Sequence, residues 1–237
     1  MLLGSAHFRK VLIVRFLGYL LIQVGFLALI LTVEPVIAEE AKFRFNQVMG
    51  KHYVLPKIIT SGNSQAAMPE VADKGRTGFG SLIGSGLEMI VPVSTDFGIV
   101  IEKIGANAKV IADVDPSSEA AYTQALAKGV AHAKGTVYPG QKGNMYLFSH
   151  STDAPWNIVR YNAIFYLLRE LEVGDRVIMF YQGRRYDYIV FDKTITKPDD
   201  TKYLTDSYNE PVLTLQTCDP PGTLLNRLIV RAKLVQS

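Results

Sequence analysis

Apolar residues run almost unbroken from Phe16 to Val33, with Gln23 as the one strongly polar interruption. A helix over that run is about 27 Å long, close to the hydrocarbon thickness of a bilayer. Arg15 can snorkel toward the headgroups, which adds Val11 to Val14 and gives an expected transmembrane anchor over residues 11–33. Residues 1–10 are then a short cytoplasmic N-terminus. His7, Arg9, Lys10 and Arg15 flank the start of the run, and Glu34, Glu39 and Glu40 come after it, which favours the N-terminus inside. Val36-Ile37-Ala38 has the small-residue pattern of a signal-peptide cleavage site. Signal-peptide apolar cores are shorter, about 7–15 residues, so a retained anchor is the expectation.

The pattern then loses its period. Glu39 to about Tyr53 mixes charges with aromatics and predicts a short helix, and Pro56 to Gly86 is rich in Gly, Ser and small residues. Residues 34–92 read as an extracytoplasmic linker, with Leu87 to Val93 available to pack on the C-terminal domain. From residue 93 to 237 short β-patterned runs dominate. Strands are expected at Ile99–Ile104, Lys109–Ala112, Gly135–Tyr138, Gly143–His150, Arg176–Tyr181, Arg184–Phe191, Val212–Cys218 and Arg227–Val235. Asp115-Pro116-Ser117-Ser118 offers an N-cap for a short helix over Glu119–Lys128, and a second helix is expected over Asn157–Leu171. Eight short strands with two helices in the connections suit a closed barrel, which leaves no exposed edge, although strand count alone also allows an open sandwich.

Composition narrows the function classes. Charged residues at 20% and apolar ones at 48% describe a globular chain. A formal charge of +3 with no dense basic run beyond the N-terminus gives no footprint for nucleic acid. The single cysteine excludes an intramolecular disulfide and a cysteine-based zinc cluster. Asp199-Asp200 and Asp206 are too scattered for a calcium loop, so neither metal nor cofactor is expected.

That cysteine, Cys218, closes Thr214-Leu215-Gln216-Thr217-Cys218 and precedes a turn through Pro220-Pro221-Gly222. A strand end opening into a loop is where a scaffold presents a reactive group. If the next strand returns antiparallel, Arg227 lies beside Cys218, where a guanidinium can stabilise a thiolate or a developing oxyanion. Arg231 has the same parity but sits about 13 Å further along. A buried thiol in a hairpin is the bland alternative. Among the four histidines, His150 ends a predicted strand in Phe148-Ser149-His150-Ser151, and His132 lies in Val130-Ala131-His132-Ala133.

Thr214–Cys218, an arginine opening the following apolar strand, and the upstream Ser149-His150-Ser151 together resemble the signature of the sortase family, in that family's order of His, Cys, Arg. The resemblance covers roughly Val93 to Leu234. It implies a sortase-like β-barrel and a cysteine transpeptidase with His150, Cys218 and Arg227 as its catalytic set. Thr217 is implied as a backbone or hydroxyl contact to the tetrahedral intermediate, with Ser149 and His132 as supporting residues and His132 as the alternative base. The implied partners are a protein bearing a C-terminal Leu-Pro-x-Thr-Gly-like sorting signal and an amine acceptor, either a peptidoglycan precursor or a pilin lysine. The catalytic domain would face the cell surface from a single-pass membrane anchor. A hydrolytic cysteine endopeptidase of the same fold and an inactive tethered binding module are the alternatives.

Overall fold

The computed structural model describes residues 6–49, 52–55, 87–151 and 164–236. The linker residues 56–86 and the first part of the helix expected over Asn157–Leu171 lie outside the described residues.

Helix α1 (Ala6–Val48) is continuous, so the anchor and the short helix expected after it are one element. Its stretch Arg9–Ile30 is apolar and long enough to cross a membrane, and none of it is buried against the rest of the chain. Strand β1 (His52–Val54) pairs in parallel with β2 (Leu87–Met89). Eight further strands form a closed barrel: β3 (Phe97–Ile101), β4 (Ala106–Val114), β5 (Val130–Ala133), β6 (Gly143–Phe148), β7 (Arg176–Tyr181), β8 (Arg184–Thr196), β9 (Pro211–Asp219) and β10 (Asn226–Gln236). Around the barrel the order is β10-β8-β7-β3-β4-β5-β6-β9, closed by the β9–β10 pair. The β4–β5 and β6–β9 pairs are parallel and the others antiparallel.

Local chemistry accounts for the elements. Alternate residues of β9 and β10, such as Leu213, Leu215, Leu228 and Val230, fill the interior with Ile99, Leu147 and Met179 from across the barrel. Each such side chain contributes about 1.5–3 kcal/mol on burial. Gln182 and Gly183 both have positive φ, 50° and 74°, the hairpin geometry whose twist matches the strands it joins. Ser118 caps α2 (Glu119–Leu126) by accepting from the Ala121 amide, as its position predicts. The strand expected at Gly135–Tyr138 is instead a turn with Gly135 at φ 86°, and the strand lies earlier, at β5. All four β5 residues are buried, so no alternation marks them. Of the second expected helix, the described part is turn and a 3-10 segment, Leu168–Glu170. A short helix α3 (Lys202–Thr205) sits in the β8–β9 connection.

Two packings fasten the N-terminal elements to the barrel. Leu55 and Ile90, next to β1 and β2, bury against Val100, Ile178 and Phe180 of β3 and β7. At the end of α1, Phe43 joins the main core cluster, and Glu40 forms an ion pair with Arg169 at 3.0 Å.

Candidate active site

The site is built where β6, β9 and β10 meet. Side chains alternate between the interior and the outer surface, so Leu213 and Leu215 point in while Gln216 and Cys218 point out. Both threonines of Thr214–Cys218 bind β9 to its neighbour. Thr214 donates to Asn144 Oδ1 at 2.7 Å, and Asn144 in turn donates to the Tyr203 carbonyl at 2.8 Å. Thr217, only 3% exposed, donates to the Ser149 carbonyl at 3.0 Å, and the Ser149 amide donates to the Gln216 carbonyl at 3.2 Å. These bonds fix the ends of β6 and β9 to each other.

Arg227 pairs in register with Cys218 across the β9–β10 hairpin. Its Nη1 donates toward Cys218 Sγ at 3.6 Å and to the Asn226 carbonyl at 3.2 Å. Cys218 is a free, half-buried thiol. Burial pushes it above the ordinary thiol range, and the Arg227 guanidinium pulls the other way by favouring the thiolate. The parallel register of β6 on β9 ends at Phe148 opposite Gln216. Half-buried His150 comes two residues after Phe148, as Cys218 comes two residues after Gln216. A thiol and a guanidinium are thus held together across the β9–β10 hairpin, and an imidazole follows the end of neighbouring β6. Ser149 and Ser151 flank the histidine, and their buried hydroxyl oxygens have no hydrogen-bond partner among the described residues.

His132 is placed elsewhere. It pairs in register with Leu147, faces the barrel interior, and is fully buried against Phe97 and Tyr138. Its Nδ1 accepts from the Asp113 amide at 3.4 Å, and its Nε2 contacts the Val137 carbonyl at 3.2 Å and the Thr136 hydroxyl at 2.9 Å. Burial drives its pKa down, outweighing the Val137 carbonyl and the exposed Asp113 carboxylate 3.9 Å away. The ring is a neutral member of the core, opposite Leu147, which precedes His150 by three residues.

Arg231 is also committed elsewhere. It forms an ion pair with Asp192 at 2.8 Å, donates to the Tyr208 hydroxyl at 2.9 Å, and lies over the rings of Phe191 and Tyr203. Beside Arg227, a cavity of about 500 Å³ is lined by residues that include Thr196, Asp200 and Asn226. Among the described residues, no group of three His, Cys, Asp or Glu could hold a metal.

Sequence reasoning passes over Gln216 and Tyr146. Gln216 lies two residues before Cys218 on the same face, and its Oε1 accepts a hydrogen bond from the Tyr146 hydroxyl. Strand parity is the signal that marks Gln216, since it shares the outer face with the cysteine. Tyr146 belongs to an apolar patch with Ala133, Ile229 and Tyr203 that floors the outer surface next to the site.

Fold and site together define a closed β-barrel that holds a thiol beside a guanidinium at one strand end. The Sortase domain family model matches residues 99–235, and the chain belongs to the sortase family. Sortase D of Bacillus subtilis (strain 168) is 28% identical over 138 residues, covering 57% of this chain and 61% of that protein. The chain therefore spans less than two thirds of that relative's length. Among solved structures, sortase C-1 from Actinomyces oris is 27% identical with a TM-score of 0.51, over 61% of this chain and 76% of that one. Sortase A from Corynebacterium diphtheriae is likewise 27% identical with a TM-score of 0.51, over 60% of this chain and 61% of that one.

Proposed function

We propose that the protein is a membrane-anchored cysteine transpeptidase that cleaves a C-terminal sorting signal and passes the acyl part to an amine. The observation that carries this is the Arg227 guanidinium held 3.6 Å from the Cys218 sulfur by cross-strand pairing in a sortase barrel. The Cys218 thiolate attacks a backbone carbonyl of a Leu-Pro-x-Thr-Gly-like segment, forming an S–C bond. Arg227 holds the resulting oxyanion. Collapse breaks the C–N bond, and the His150 imidazolium gives its proton to the leaving amine. A second amine then attacks the thioester, His150 takes its proton, and the thiolate leaves. Peptidoglycan-precursor amines and pilin lysines are the acceptor classes of this chemistry. Thr217 and Ser149 act by fixing the strand ends that carry Cys218 and His150.

The test uses the full chain in detergent micelles with a library of Leu-Pro-x-Thr-x peptides and an excess of triglycine. The expected product is the acyl fragment joined to triglycine. Free acid alone, at every amine concentration, would make the protein a hydrolytic endopeptidase, and no product would make it a binding module.

Helix α1 is read as the anchor, with its basic start in the cytoplasm and the barrel outside. Protease added to intact cells should then degrade the barrel, while a protected barrel would reverse the orientation.

A further inference from the structure

Gln216 is half-buried on the outer face of β9, two residues before Cys218 and in register with Ile229 of β10. On β6 its register partner is Phe148, and two residues earlier stands Tyr146, which is only 5% exposed and packs with Ala133, Ile229 and Tyr203. A carboxamide can present either its oxygen or its nitrogen, and here the oxygen faces Tyr146, whose hydroxyl donates to Gln216 Oε1. The amide nitrogen is thereby turned away from that bond. An amide whose donors face away from Tyr146, two residues before a thiol on the same face, is suited to a backbone carbonyl.

The spacing fits an extended peptide. Residues two apart on a strand are about 7 Å apart, the same repeat as an extended substrate chain. With the scissile carbonyl at Cys218, the carbonyl two residues earlier falls at the level of Gln216. We propose that Gln216 is a substrate-binding residue that donates from Nε2 to that backbone carbonyl, and that Tyr146 is the positioning residue that fixes its amide orientation. The inference rests on the transpeptidase reading. It makes recognition at this position a matter of peptide backbone, independent of the side chain carried there.

The measurement is steady-state turnover of a Leu-Pro-x-Thr-x peptide by the full chain in micelles, alongside the rate of Cys218 alkylation by iodoacetamide. Gln216→Leu should lower kcat/KM about tenfold, mainly through KM, as expected for one lost hydrogen bond, with alkylation unchanged. Gln216→Glu still accepts from Tyr146 but offers no donor, so its loss should be at least as large. Tyr146→Phe should also raise KM, and in the Gln216→Leu background it should cost nothing more. Turnover by Gln216→Leu within twofold of wild type overturns the proposal. So does alkylation that slows in parallel with turnover, or a Tyr146→Phe loss that adds in full to that of Gln216→Leu. If Gln216→Leu fails to fold, Gln216→Glu carries the same comparison. A wild-type chain that forms no thioester with any peptide of the library fails the transpeptidase reading and this inference with it. A working wild type beside an unaffected Gln216→Leu fails this inference alone.

Discussion

Arg227 and Arg231 leave the same face of β10, yet their surroundings assign them different work. Arg231 is occupied by Asp192 and Tyr208, whereas among the described residues Arg227 has a thiol and one backbone carbonyl as its hydrogen-bond partners. Arg227→Lys keeps the charge and loses the planar fork, and should lower kcat/KM by about two to three orders of magnitude, as for an oxyanion donor. Arg231→Lys should change turnover only a few fold. The check is peptide cleavage by both variants after melting curves show them folded, and equal losses would contradict the register. The order of the two arginines is legible in the sequence, because a short turn after Cys218 brings back the first arginine and not the second. The place of His132 is less so. Its interior face depends on pairing with Leu147, and its segment gives no polar alternation to read.

At the scale of elements, seven of the eight barrel strands lie within five residues of their expected ends, and β5, four small or buried residues ahead of the Gly135 turn, is the one the sequence misplaces. Long-range packing also hides the end of α1, since nothing local announces that Phe43 will enter the barrel core. The entry to β3 depends on a glycine for space. A Cβ at Gly98 would lie 2.1 Å from the Ser94 carbonyl oxygen, so the backbone must move to admit one. Gly98→Ala should destabilise the fold by about 2–3 kcal/mol and lower Tm by roughly 5–10 °C. Thermal melting checks this, and an unchanged Tm would mean that the Ser94 turn yields freely.

The whole molecule joins an apolar helix to a closed barrel through contacts at the helix's far end, where Glu40 meets Arg169 and Phe43 is buried. On the barrel's outer face β9 and β10 pair Cys218 with Arg227, His150 follows the end of β6, and the hydroxyls of Thr214 and Thr217 tie β9 to the β6 chain. The proposed function requires that this arrangement make Cys218 a nucleophile toward peptide carbonyls. Intact-mass spectrometry of the full chain, quenched in acid soon after mixing with a Leu-Pro-x-Thr-Gly peptide, reads that step itself. The expected result is an added mass equal to the acyl fragment, located on Cys218, released by hydroxylamine and absent from a folded Cys218→Ala variant. Peptide cleavage that persists in Cys218→Ala, or an adduct on any other residue, would contradict it.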